Sequence, residues 1–468
     1  MPPKPRFLCT DKDDLIWEKL DEATDEWDIS TRTNETYNAV AELILKYKAG
    51  QAEVIHPPIK GGYNVVYRLE YKDGSSAIMR IPIKGIVTSP EEKIRYEVAT
   101  MRYVAVNTTI PVPYVYYYGT AGENLTGLGP FIIMEYIEHY QNMSRFLFDP
   151  SPNILFQLSF LKFPRIGSLV ENEGKDSGTS ISVSGRPLIV NMNDIVVHTN
   201  APAKDEDDAR DKYMARLLFR KLAAERRLAP ESEPDDDCFM LFSEDFRPAN
   251  ILLDKDLQVV VVIDWEFAYA APAQFSYDPP WWLLLEEPED WPGGYRAWMQ
   301  VYEPRLRTFL RLLEAEENKL AANKNEKDNN DMADQFNDMS LTSGREIGTD
   351  APSPRLRLSQ CMRSSWDTRA WMRNYAARKS WAFDFVWWKF LDESYFGPNE
   401  DQDYQARLGL LSESQREAME AFVACKMEER RNPGIVEWTE KQAADRLAEV
   451  FTKMLPELID STGEINRV

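Results

Sequence analysis

The chain has 468 residues, enough for two or three lobes, and its 43% hydrophobic and 12% aromatic content can fill a large core. Asp and Glu number 77 against 55 Lys and Arg, a formal charge of −22, which argues against nucleic acid or an anionic membrane surface as a partner. Four scattered cysteines (Cys9, Cys238, Cys361, Cys425) show neither CxxC nor zinc spacing, as free thiols in a reducing compartment would.

No stretch approaches the ~20 uninterrupted apolar residues of a membrane span. The opening MPPKPRFLCTDKDDL has neither a signal core nor an Arg-rich transit pattern. The expectation is a soluble, cytoplasmic protein; its acidic surface would welcome a cationic substrate, although such a surface more often serves solubility alone.

Residues 1–50 are expected to form a peripheral helical extension, with apolar positions at Leu15, Ile16 and Leu20 and then Val40, Leu43 and Ile44. From residue 51 to 138 the pattern turns to strands. An alternating run from Val65 to Tyr71 and a second from Ala77 to Ile81 flank a turn at Lys72–Ser75. Gly61, Gly62 and Asn64 stand just before the first run. A glycine-containing hairpin lets backbone amides approach phosphates, although a plain β-turn accounts for two glycines equally well. Arg80 sits on the second run. The helix after it, Glu91 to Val106, carries Ile94, Val98, Met101 and Val104 on one face. Its Glu97 is a candidate partner for Arg80, the alternative being an exposed helix charge. Residues 114–118 and 131–137 read as two more strands.

Residues 139–315 are expected to form a larger lobe. Its early part holds a polar, Gly/Ser-rich stretch from Glu171 to Ser184, an acidic linker from Lys204 to Asp211, and a helix from Lys212 to Arg226. Residues 316–360, rich in Asn, Asp and Lys, read as a disordered insertion. An aromatic-rich helical part, 361–468, closes the chain, with helices at Leu410–Arg431 and Thr439–Leu455. Trp371, Tyr375, Trp381, Phe385, Trp387 and Trp388 are read there as helix core, the alternative being an aromatic pocket for a cationic or planar substrate.

The chain is organised around residues 238–270, CFMLFSEDFRPANILLDKDLQVVVVIDWEFAYA. Apolar runs at 239–242, 251–253 and 257–263 leave three polar residues at strand ends: Asp245, Asn250 and Asp264. Taken singly these are turn residues. Together they suit phosphoryl transfer, in which one carboxylate takes or orients the attacking hydroxyl's proton while an amide and a second carboxylate hold Mg²⁺ against nucleotide phosphates.

The stretch resembles the catalytic and metal loops of the aminoglycoside phosphotransferase family, and the segments 163–170, 184–192 and 265–291 resemble its fungal members. The family pattern is His-x-Asp-x-x-x-x-Asn followed by Ile-Asp after a strand; here Ser243 stands where the family has His. None of His56, His139 and His198 is expected near the site. The resemblance implies an α+β, two-lobed, protein-kinase-like fold with a small β-rich N-lobe and a larger, mainly helical C-lobe. It implies ATP and Mg²⁺ as cofactors and a small-molecule hydroxyl as acceptor. Asp245 and Asn250 would be catalytic, Asn250 and Asp264 would hold the metal, and Gly61, Gly62, Asn64, Arg80 and Glu97 would hold the nucleotide. Arg80 stands where the family has Lys. Backbone groups around Glu135 and Ile137 would meet adenine. The rival reading is a pseudokinase, with Ser243 and Arg80 as marks of lost catalysis. A protein kinase is disfavoured, since D-F-G and A-P-E are lacking.

Overall fold

The computed structural model describes residues 22, 24–146, 152–173, 179–190, 203–228, 238–288, 291–327, 357–379 and 382–431. Leu15, Ile16, Leu20, Cys9, His198, Trp381 and the helix expected at Thr439–Leu455 lie outside the described residues.

Helix α1 (Asn34–Tyr47) starts where the Thr33 side chain accepts the Thr36 N–H, a hydrogen bond that satisfies one of the helix's orphan donors. The first strands follow: β1 (Ala52–Ile55), β2 (Ile59–Lys60), β3 (Asn64–Tyr71) and β4 (Ser76–Pro82). Along β3, Val65, Tyr67, Leu69 and Tyr71 are buried at every second position, the period of a pleated strand. β3 and β4 pair antiparallel with Val66 opposite Arg80.

Helix α2 (Pro90–Asn107) has Pro90 at its start and Glu91 and Glu92 in its first turn, both favourable at a helix N-terminus. β5 (Val115–Gly119) and β6 (Phe131–Glu135) complete a six-stranded sheet of order β1-β3-β4-β6-β5, with β2 paired to the Val65–Val66 end of β3 and β1 to its Leu69–Tyr71 end.

The sheet is covered on both faces. Val40, Leu43 and Ile44 of α1 are fully buried against Tyr67, Met79, Phe131 and Ile133, so this helix is a layer of the core rather than a peripheral extension. Each such side chain contributes about 1.5–3 kcal/mol. On the other face Ile94, Val98, Met101 and Val104 of α2 join the larger core formed with the later helices, as their spacing predicts.

Next come β7 (Gln141–Asn142), a short helix α3 (Pro152–Leu158) and β8 (Lys162–Phe163). Two further departures from the sequence reading follow. The polar stretch from Glu171 to Ser184 is largely a hairpin of β9 (Ser168–Glu173) and β10 (Thr179–Gly185). The acidic segment read as a linker is the start of helix α4 (Glu206–Ala224). Asp205 caps it through the Asp208 N–H, and Glu206, Asp207 and Asp208 form its first turn. Negative charge belongs there because the macrodipole's positive end favours it, so a run that looks like linker is also a good helix start.

β11 (Phe239–Ser243), β12 (Ile251–Leu253), β13 (Val259–Val262) and β14 (Ala268–Pro272) occupy the organising stretch. β11 lies between β8 and β14; β12 lies between β7 and β13. Helix α5 (Gly294–Lys327) carries Pro304 and runs on into the segment read as an insertion; 328–356 lie outside the described residues. α6 (Leu358–Asp367), α7 (Ala370–Arg378) and α8 (Glu413–Arg431) follow. Trp371, Tyr375, Trp387 and Trp388 are buried in the core, and Phe385 packs against Tyr295. Among the described residues no helix is long and apolar enough to cross a membrane.

Candidate active site

Asp245, Asn250 and Asp264 are brought together by the β12–β13 pairing. Ile251 faces Val262, and the Ile263 N–H donates to the Asn250 carbonyl at 2.9 Å, so Asn250 lies across from the last residue before Asp264. Asn250 Nδ2 donates to the Asp245 carbonyl at 2.8 Å and ties the loop's two functional positions to each other. Asp264 has φ +68°, left-handed backbone that a non-glycine residue adopts at a cost of order 1–3 kcal/mol, and such strain concentrates at functional sites.

Ser243 ends β11 opposite Ala268. The loop's bracing falls on Asn250 and on Glu244, whose carboxylate accepts the Tyr269 hydroxyl at 3.1 Å and the Val190 N–H at 2.9 Å. Burial raises Glu244 above the usual carboxylate range. Asp245 is raised too, by burial and by nearby Glu266, against the pull of Arg247, whose Nε lies 3.2 Å away. A raised carboxylate suits a group that must accept a proton near neutral pH.

The N-terminal sheet supplies the cations. Arg80 donates to Glu97 through one guanidinium nitrogen and to Asp264 Oδ1 through the other at 3.2 Å, and its first nitrogen also lies 3.5 Å from Glu266. The expected Arg80–Glu97 pair is therefore formed, and it extends to the carboxylate expected to bind metal. Arg80 Nε is buried without a hydrogen-bond partner among the described residues.

A second cation was not foreseen. Lys93 of α2, completely buried, pairs with Glu266 and donates to Asn64 Oδ1 at 2.8 Å, while Asn64 Nδ2 donates to Glu266 Oε2 at 2.8 Å. The amide of Asn64, read as a nucleotide contact, is thus held inside the protein. Two cations and three carboxylates share one buried cluster. Burial opposes ionisation of Glu266, but Lys93 and Arg80 outweigh it and hold this carboxyl below the ordinary range. Asp264 goes the other way: burial and Glu266 push it up to about 7 in spite of Arg80.

Gly61 and Gly62 form the exposed turn between β2 and β3, where the Gly61 N–H donates to the Asn64 carbonyl. A Cβ on Gly62 would meet nothing within 4 Å. Packing within the chain does not demand glycine there, and the space a side chain would take lies open. Glu135 ends β6 and donates its N–H to the Tyr114 carbonyl, while the Ile137 carbonyl lies 3.0 Å from His139 Nδ1. The Glu135 amide is therefore already engaged within the chain.

Oxygen donors at Asn250 and Asp264 are the hard ligands that Mg²⁺ takes, and 23% of the Asp264 side chain reaches solvent. Among the described residues no group of three His, Cys, Asp or Glu side chains could enclose a metal alone. An ion on these two residues would complete its shell with phosphate and water, as Mg²⁺ commonly does.

Comparison with known proteins finds partial likenesses. No protein-family model matches the chain. A subtelomeric hrmA-associated cluster protein of Aspergillus fumigatus is 33% identical over 127 residues, 25% of each chain. The mitochondrial altered inheritance of mitochondria protein 9 of Debaryomyces hansenii is 34% identical over 104 residues, 22% of this chain and 16% of that one. The chain thus spans a quarter or less of the length of these curated relatives. Among solved structures, a putative fructosamine-3-kinase of Thermobifida fusca aligns over 57% of this chain and 84% of its own, at 16% identity and TM-score 0.32. A putative aminoglycoside phosphotransferase of Ralstonia eutropha aligns over 57% and 79%, at 14% identity and TM-score 0.33.

Beside Glu244 opens a cleft walled by aromatic side chains, among them Phe242, Trp281, Trp371 and Tyr375. Its charges answer one another. Asp278 is held by Arg378 at 2.9 Å, Asn374 at 2.7 Å and Ser365 at 3.1 Å, and Lys379 donates to Glu287 at 2.6 Å. The Arg378 guanidinium also covers Phe242 and Phe275 at 5.0 and 4.8 Å from their ring centres. Glu244, the residue before Asp245, lines this cleft together with Lys379. Trp371 and Tyr375 therefore serve both core and wall; Trp387 and Trp388 serve the core alone.

Proposed function

We propose that this chain is a two-lobed, kinase-like phosphotransferase that moves the γ-phosphoryl group of ATP to a hydroxyl of a small molecule. The observation that carries the reading is the meeting of Arg80, Glu97 and Asp264. A cation from the sheet and its partner on the next helix meet a strained strand-end carboxylate that lies 184 residues after the cation, in the stretch that carries Asp245 and Asn250. The orphaned Arg80 Nε and the open space above Gly62 both fit a phosphate group in that place.

In the transfer, the acceptor hydroxyl attacks the γ-phosphorus as the bond to the β–γ bridging oxygen breaks. Asp245 receives the hydroxyl proton, its raised affinity for protons matching that task. Asn250 holds the Asp245 loop through its amide nitrogen, and its amide oxygen would be a metal ligand. Asp264 offers a carboxylate beside it. Bound Mg²⁺ supplies charge neutralisation on the phosphates. Arg80, fixed by Glu97, adds positive charge, and the acceptor enters along the aromatic cleft. Cys238, Cys361 and Cys425 are held as thiols, which accords with work in a reducing compartment such as the cytoplasm.

The test is thermal stabilisation of the purified protein by ATP with and without Mg²⁺, followed by phosphate transfer to hydroxylated small molecules. A Mg²⁺-dependent rise in melting temperature supports the site. No shift at about millimolar nucleotide, some hundredfold above a typical tight site, removes it. The second reading, a nucleotide-binding pseudokinase, rests on the substitution at Ser243, and it predicts binding without turnover.

A further inference from the structure

Arg80 stands where a phosphate-gripping cation is expected, yet both terminal nitrogens of its guanidinium are committed. One terminal nitrogen is held by Glu97 and lies near Glu266, and the other is held by Asp264. Lys93 is placed differently. Its ammonium has three N–H donors and uses two, on Asn64 Oδ1 and on Glu266. Glu266 does not depend on it alone, since Asn64 Nδ2 at 2.8 Å and Arg80 at 3.5 Å also reach that carboxylate. Lys93 can therefore turn away from Glu266 and leave behind no bare buried charge. Asn64, its other partner, stands two residues past Gly62 and begins β3. The ammonium is thus tied to the very turn that would cover phosphates. A compact charge on a flexible four-carbon stem suits a moving polyphosphate better than a guanidinium pinned by three carboxylates.

We propose that Lys93, on helix α2, is a phosphate-binding residue: it exchanges Glu266 for the β- or γ-phosphate of a nucleoside di- or triphosphate, while Arg80 stays in place and takes over Glu266. The site rests on the phosphotransferase reading above and deepens it. Lys93 contacts the phosphates directly in this account; as a mere brace of Asn64 it would affect every ligand of the nucleotide cleft alike.

A ladder of ligands separates the two. Adenosine, ADP and ATP, the last two with Mg²⁺, are titrated calorimetrically against the full chain and against Lys93→Met and Lys93→Arg, with circular dichroism as the check on folding. Lys93→Met is expected to keep adenosine affinity and to weaken ADP and ATP about 10- to 100-fold, the worth of one charge-assisted hydrogen bond. Lys93→Arg, which keeps the charge and serves if the Met variant does not fold, is expected to lose ATP affinity to a lesser degree and again to spare adenosine. Equal loss for all three ligands, or ATP affinity unchanged, overturns the inference and leaves the phosphotransferase reading standing. Absence of any nucleotide binding by the unaltered chain overturns both.

Discussion

Replacing Glu266 by Met tests whether the buried cluster is wired as described. The substitution removes a carboxylate that is 2% exposed and keeps a side chain of similar reach. It strands Lys93, which has no exposure at all and would retain the hydrogen bond to Asn64 Oδ1 and the charge of Glu97, itself held by Arg80. Leaving one partner of a buried ion pair uncompensated costs about 3–5 kcal/mol, and the lost acceptor of Asn64 Nδ2 adds ~1 kcal/mol. The expected total is about 4–6 kcal/mol, a large share of a domain's stability. Lys93→Met alone should cost less, ~1–3 kcal/mol, because Glu266 keeps Arg80 and Asn64. The double variant exchanges the pair for two apolar side chains and strands only the Asn64 amide, so it should cost ~1–3 kcal/mol and be more stable than Glu266→Met alone. Urea unfolding without nucleotide, followed by tryptophan fluorescence and circular dichroism together, measures all three; coincident transitions license a single free energy. The wiring is refuted if Glu266→Met costs under about 1 kcal/mol, or if the double variant loses the sum of the two singles.

The remaining predictions concern metal, proton and core. Asp264→Asn should abolish the Mg²⁺-dependent part of nucleotide stabilisation, whereas Asp245→Asn should preserve binding and remove turnover; both are read by thermal shift and a phosphate-transfer assay. Because Asp264 binds its proton with a midpoint pushed up to about 7, it is protonated below that pH and a proton then competes with the metal. Mg²⁺-dependent stabilisation should therefore weaken as pH falls through neutrality and strengthen above it, and a flat profile across that range would contradict the placement. Trp387→Ala, at a residue with no exposure, should cost about 3–5 kcal/mol in denaturant unfolding, with no selective effect on nucleotide affinity.

The strands and the three polar residues of the 238–270 stretch were legible because short continuous apolar runs separated by polar turn residues leave few alternatives. So was the α2 face, where Ile94, Val98, Met101 and Val104 recur at helical spacing. Two elements misled for a physical reason. A run of carboxylates from Lys204 to Asp211 has linker composition, but beside a capping aspartate it is also what a helix N-terminus favours. A Gly/Ser-rich stretch reads as loop, yet β9 and β10 pair through backbone hydrogen bonds that composition does not report. Likewise Val40, Leu43 and Ile44 showed an apolar stripe, but nothing local told which sheet face would receive it.

Lys93 and Glu266 escaped for a different reason. A single charged residue inside an amphipathic helix reads as part of its wet face, and Lys93 sits beside Ile94 as many surface lysines do. The available signal was relational. Once Glu97 is turned inward to meet Arg80, the residue one turn earlier lies on the same stripe and must turn inward with it. A buried lysine then requires a carboxylate, and Glu266, two residues past Asp264, is where the strand end delivers one. The lost histidine yields to the same logic. What the loop at Ser243 requires is a brace for its backbone; Asn250 supplies one from within and Glu244 another through Tyr269 and Val190. Ser243 is therefore compatible with catalysis in a way that its departure from the family pattern, taken alone, does not reveal. It is the arrangement around Asp245, and not the residue two positions before it, that decides between an enzyme and a silent nucleotide binder.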